Sequence, residues 1–120
     1  MKTILIVDDS QTVRLYHSAI FKAAGFAVIT ATDGADGLEK LFQSRSDAVL
    51  TDINMVGMDG YEFIRRMRQE PAFDHVPIII VSTEAEDKDR RRGLEAGATL
   101  YITKPAEPEQ LVENVRMVLQ

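Results

Sequence analysis

Short apolar runs rich in β-branched residues alternate along the chain with longer stretches in which apolar residues return every three or four positions. The runs are Ile4–Val7, Ala27–Thr30, Ala48–Thr51, Ile78–Val81 and Thr99–Ile102. The first and fourth are apolar throughout, as strands covered on both faces should be. Between and after them lie helical stripes: Val13, His17 or Tyr16, Ile20, Phe21 and Ala24; then Leu38, Leu41 and Phe42; then Phe63, Ile64 and Met67; and last Leu111, Val115, Val118 and Leu119. All of these stripes are read as core. The segment Asp87–Ala96 is expected to be a helix too, although it carries Lys88, Arg90, Arg91 and Arg92, encloses Gly93 and has few apolar positions. Its arginines point in three directions around a helix and are read first as a solvated face. Ser10, Asp33 or Thr32, and Asp59 stand where N-caps belong, and Gly25 and Gly97 follow helical segments where a left-handed residue is wanted.

Strand and helix thus alternate five times, which predicts an α/β fold: a doubly wound (βα)5 three-layer sandwich with a parallel sheet between helices. Right-handed crossovers leave few topologies. The strand order 2-1-3-4-5 is adopted on precedent, as the usual one for five strands. The 120 residues fit a single domain, 1–120, with no linker, repeat or low-complexity tract.

Composition narrows the chemistry. The absence of cysteine excludes disulfides, thiolate metal sites and thiol nucleophiles, and fits a cytoplasmic setting. His17 and His75 stand alone in sequence and are expected to be ordinary surface or boundary residues. Nineteen acidic residues against fourteen Lys plus Arg leave a net charge of -5, the wrong sign for direct nucleic-acid binding. There is no signal peptide and no apolar run near the ~20 residues that span a bilayer, so no membrane association is expected.

In an open parallel sheet, ligands bind beyond the carboxyl ends of the strands, where the strand order reverses. For this order, that point lies between the first and third strands. The first ends in Val7-Asp8-Asp9-Ser10 and the third in Thr51-Asp52-Ile53-Asn54. Three carboxylates converging there repel one another unless a cation neutralises them. Oxygen ligands without Cys or His select a hard ion, and Mg²⁺ suits such a site because it keeps waters and leaves room for a phosphate oxygen. The fourth strand delivers the Ser82 hydroxyl and the fifth the Lys104 ammonium to the same edge. Acids, metal, hydroxyl and cation together make a phosphoryl site. Spacing and charge do not say which aspartate is the nucleophile.

Asp8-Asp9 after the first strand, Asp52 after the third, Met55 through Met58-Asp59-Gly60, Ser82 after the fourth and Lys104-Pro105 after the fifth resemble the receiver domain of two-component response regulators, whose fold is flavodoxin-like. The resemblance runs from about Thr3 to Leu119. It implies that Asp52 is the phosphoacceptor nucleophile, that Asp8, Asp9, Asp52 and the backbone carbonyl of Asn54 hold Mg²⁺, and that Lys104 bonds a phosphoryl oxygen through a loop with a cis Lys104–Pro105 peptide. Ser82 takes the switch hydroxyl position and Tyr101 the switch aromatic position. Thr83, Asn54 and Glu84 occupy positions that tune access and hydrolysis. The chain departs from the family at Val56, where proline is common, at Ala106, where an aromatic is common, and at Thr83, where a very small residue is usual. Asn54, Glu84 and Tyr101 are most like those of the single-domain chemotaxis regulators.

The function implied is a phosphorylation switch and not an enzyme acting on other molecules. A sensor histidine kinase or phosphotransfer protein acts upstream, and a protein effector binds the face made by the fourth helix, fifth strand and fifth helix. Alternatives are a receiver excised from a longer response regulator or hybrid kinase, and an Mg²⁺-dependent phosphatase with an aspartate nucleophile. The phosphatase of the haloacid-dehalogenase type wants Asp-x-Asp, whereas Asp8 and Asp9 are adjacent. A flavin or nucleotide site needs a Gly- or Ser/Thr-rich phosphate loop, where Asp8 and Asp9 would repel the phosphate.

Overall fold

The computed structural model describes all 120 residues. Five strands, β1 (Thr3–Val7), β2 (Ala27–Ala31), β3 (Ala48–Thr51), β4 (Ile78–Ser82) and β5 (Leu100–Thr103), alternate with five helices. These are α1 (Gln11–Ala23), α2 (Gly34–Gln43), α3 (Gly60–Gln69), α4 (Asp87–Ala96) and α5 (Pro108–Val118). All neighbouring strands are parallel, in the order β2-β1-β3-β4-β5. The fifth strand begins one residue later than the apolar run suggested, and at its entrance the Thr99 hydroxyl accepts from Ile78 N–H at 3.1 Å.

The period-2 alternation of strand side chains divides the core in two. Leu5, Val7, Val49, Ile78 and Ile80 face one layer with Leu41 of α2, Phe63, Ile64 and Met67 of α3, and Ala96 of α4. Ile4, Ile6, Leu50, Ile79, Val81 and Ile102 face the other with Phe21 of α1 and Leu111 and Val115 of α5. Each large side chain buried this way stabilises the fold by roughly 1.5–3 kcal/mol. The helix starts are capped as read: Ser10 accepts from the Val13 amide, Asp33 from Asp36 and Asp59 from Glu62. Gly25 and Gly97 leave their helices at φ 96° and 120°.

One open stripe position is resolved and one assignment changes. His17, not Tyr16, is the buried member of its pair on α1. Phe42, read as core, is 66% exposed and rests edge-on against Phe73 with centroids 4.8 Å apart. It sits one residue past the buried Leu41, on the shoulder of α2, where the sheet no longer covers it.

Candidate functional site

Register brings the acids together. Val7 is paired with Thr51 across β1 and β3, so Asp8 and Asp52 leave the sheet side by side at its carboxyl edge. Two strands away Ser82 is paired with Thr103, so Lys104 emerges from β5 at the same edge. The ladder continues past the strand ends, with Asp52 N–H donating to Val7 O at 3.1 Å and Lys104 N–H to Ser82 O at 2.8 Å.

Lys104 closes the crevice. Its Nζ lies 3.1 Å from Asp52 Oδ2 and 3.4 Å from Asp8 Oδ2. Asp8 is almost fully buried and Asp52 partly so. Burial pushes the Asp8 carboxyl above its ordinary value, and the neighbouring Asp52 adds to this, against the opposing pull of the Ser10 amide and Lys104. The other carboxylate oxygens are held by backbone. Asp8 Oδ1 accepts from Ser10 N–H at 2.9 Å and Asp52 Oδ1 from Ile53 N–H at 2.6 Å. Each aspartate is thereby oriented with one oxygen toward the ammonium. The peptide between Lys104 and Pro105 is cis.

The remaining candidates lie around this pair. Asp9 is exposed, and no three acidic or histidine side chains are gathered closely enough to form a metal cage. The donor set fits a hard ion in kind, since Asp8 and Asp52 present carboxylate oxygens about one shared cation. Asp9, next in the chain, is the residue that could supply a third carboxylate. Ser82 is fully buried, and its Oγ accepts from the Glu84 amide at 3.1 Å instead of meeting Asp52 or Lys104. Thr83 is exposed. Asn54 Nδ2 donates to Glu84 Oε1 at 3.0 Å, and the Tyr101 hydroxyl donates to the Glu84 carbonyl at 2.7 Å. Glu84 thus links the loop after Asp52 to the aromatic on β5.

Three contributors escaped sequence reading. Gly60 opens α3 directly beneath the crevice, where an added Cβ would overlap the Asp52 carbonyl; the Met58-Asp59-Gly60 motif marks the place without revealing the contact. Arg14 Nη1 donates to the Asp8 carbonyl at 2.6 Å and so steadies the acidic loop from α1. His17, expected to be an ordinary surface or boundary residue, lies under Asp8 and Asp52 with Thr51 and Val81. Burial lowers its pKa to about 4, so it is neutral at pH 7. Its place on the α1 stripe was the one available signal.

The doubly wound sheet gathers two aspartates and a lysine at its switch point, the place where open α/β sheets bind their ligands. Comparison with known proteins gives the family: residues 4–116 match the model of the response regulator receiver domain, and the chain belongs to that family. Protein PilH of Pseudomonas aeruginosa is 36% identical over 119 residues, covering 99% of this chain and 98% of its own. The chemotaxis protein CheY4 of Vibrio cholerae superposes with a TM-score of 0.94 at 35% identity, covering 98% of both chains. The gliding motility regulatory protein of Myxococcus xanthus and the sensor histidine kinase CheAY of Helicobacter pylori are 41% and 40% identical, over 84% and 94% of this chain. The chain spans only 13% and 14% of the length of those two relatives. It is therefore a CheY-like receiver domain of two-component signalling. No helix is long and apolar enough to cross a membrane.

Proposed function

We propose that the domain is a phosphoacceptor switch in which Asp52 takes a phosphoryl group from a phosphohistidine of a sensor kinase or phosphotransfer protein. The observation that carries this is the Lys104 ammonium bonded to both Asp52 and Asp8 at the switch point of the sheet. In the reaction Asp52 Oδ attacks phosphorus, the P–N bond to the donor imidazole breaks, and the imidazole nitrogen keeps the electron pair and takes up a proton. Asp52 Oδ1 is held by the Ile53 amide, so Oδ2, the oxygen on Lys104, is the one free to attack. Lys104 then pairs with a phosphoryl oxygen and offsets the charge gathering at phosphorus.

Mg²⁺, which receiver domains use for phosphorylation, would be held by Asp8, Asp9, Asp52 and the Asn54 carbonyl. It would supply charge neutralisation for the incoming phosphoryl group. The Ser82 hydroxyl accepts from the Glu84 amide in this structure, keeps its own proton to donate to a phosphoryl oxygen, and would be drawn toward it. The β4–α4 loop then moves with it, and Glu84 passes the movement to Asn54 and Tyr101. This couples Asp52 to a protein effector on the α4-β5-α5 face.

The test is acid-labile phosphorylation with Mg²⁺ and acetyl phosphate. The wild-type chain should acquire one phosphoryl group and Asp52→Asn none; comparable labelling of Asp52→Asn overturns the assignment.

A chemotaxis-type regulator is the reading favoured by the likeness to PilH and CheY4. A receiver within a longer protein is the alternative, favoured by the small share of the gliding regulator and of CheAY that it spans.

A further inference from the structure

Tyr101 is half-buried against the first core cluster, and its ring meets two features of α4. The Arg90 guanidinium stands 5.3 Å from the ring centroid. Its donors go to β5, with Nη2 on Thr103 Oγ1 at 2.6 Å and Nη1 on the Tyr101 carbonyl at 3.4 Å. A solvated arginine makes no such fork. The second is Gly93, in the middle of a helix where glycine is unfavourable relative to alanine. A Cβ there would stand 2.6 Å from Ile80 Cδ1 and 3.1 and 3.4 Å from Tyr101 Cδ2 and Cε2. A Cβ at position 93 would therefore press first on Ile80 and then crowd the Tyr101 ring. Its hydroxyl is spent on the Glu84 carbonyl.

We propose that Arg90 and Gly93 are positioning residues that seat Tyr101 inward against α4 before any phosphoryl group arrives. The meaning of this seat rests on the proposed switch, in which Tyr101 reports to the α4-β5-α5 face. The aromatic is held by a cation over its ring, by the space left without a Cβ at Gly93, and at its tip by the β4–α4 loop. The output face is thus poised in the free domain, and phosphorylation acts chiefly on the β4–α4 loop rather than by carrying the ring from solvent to core.

The experiment is NMR of the full chain with ring-labelled tyrosine, with and without beryllofluoride and Mg²⁺. The proteins are wild type, Arg90→Met, Arg90→Lys, Gly93→Ala and Gly93→Ala combined with Ile80→Val. The double variant shortens the side chain that the new Cβ meets first, separating strain on Ile80 from displacement of Tyr101. In the free wild type the Tyr101 ring signal should lie close to its beryllofluoride-bound position, with slow exchange of the hydroxyl proton. Arg90→Met and the double variant should move that signal toward the solvent-exposed position and speed hydroxyl exchange several-fold, with partial recovery in Arg90→Lys. A wild-type ring that is solvent-exposed until beryllofluoride is added overturns the proposal, as does an unmoved ring in both Arg90→Met and the double variant. If the variants move Tyr101 while beryllofluoride leaves the Asp52 loop unchanged in wild type, the seat stands and the phosphoacceptor reading fails.

Discussion

Gly60 measures how closely α3 presses on the strand that carries Asp52. An alanine Cβ at this position would overlap the Asp52 carbonyl, which is backbone and cannot swing aside. Gly60→Ala should therefore destabilise the domain by about 1–3 kcal/mol, the usual cost of overpacking, and slow phosphorylation of Asp52. Urea unfolding and acetyl phosphate labelling read the two effects. Next to it, Tyr61 is buried under Arg92, whose guanidinium carbon stands 4.2 Å from the ring centroid. Burial, with smaller help from Tyr101 and Asp89, pushes its phenol from 10.0 up to about 12. Between those values the unfolded chain has lost this proton and the folded chain keeps it, so the unfolded state binds fewer protons and stability falls as pH rises. Below pH 10 the contribution is intact. Stability should decline more steeply over pH 10 to 12 in wild type than in Tyr61→Phe, as urea midpoints at each pH would reveal; equal slopes would refute it.

Among the elements, α4 stands apart. It buries only Gly93 and Ala96, whereas α3, of equal length, buries Gly60, Tyr61, Phe63, Ile64 and Met67. Its sequence already announced the shortage of apolar anchors. What stayed hidden is how the arginines are used. Arg90 reaches back to β5 and Arg92 covers Tyr61, so two of the three residues read as a solvated face hold the helix to its neighbours. These polar contacts replace little of the missing apolar burial. Amide hydrogen exchange should therefore be faster by at least tenfold across α4 than across α3 at neutral pH. Protection in α4 equal to that in α3 would show that the arginine contacts suffice. The β4–α4 loop joins this weaker element to Asn54 and Ser82 through Glu84, which suits it to move when Ser82 is drawn toward a phosphoryl oxygen.

For the whole molecule, the acidic crevice sets a balance between stability and ligand. Asp8 is buried against its own charge, and a chain of net charge -5 adds to the repulsion. Lys104 relieves part of it. A cation bound by the native state alone adds RT ln(1 + [L]/Kd), about 1 kcal/mol when free Mg²⁺ is about five times Kd, or roughly 4 °C in Tm for a domain of this size. Millimolar Mg²⁺ should raise Tm by about that much in wild type and by less than about 1 °C in Asp9→Asn. Calorimetric scans compare the two, and an unchanged wild-type Tm speaks against a functional metal site. Asp9 is the telling position because it is the one acid of the three that the fold leaves exposed.

Periodicity along the chain determined the number, type and order of the elements, because a half-buried helix and a fully buried strand leave different repeats of apolar residues. It also located Asp8, Asp9, Asp52, Ser82 and Lys104 at strand ends, since a strand stops where the apolar run meets charge. Which of these groups meet was decided by the sheet. Only parallel pairing of Val7 with Thr51, and of Ser82 with Thr103, puts Asp8, Asp52 and Lys104 within bonding distance across nearly the full length of the chain. Tertiary structure likewise decided between Tyr16 and His17, turned Phe42 outward and aimed Arg14 at the Asp8 carbonyl. It revealed the reason for glycine at 60 and 93. Local sequence is silent on such matters because a side chain's neighbours across the sheet, and the room left for a Cβ, depend on residues dozens of positions away.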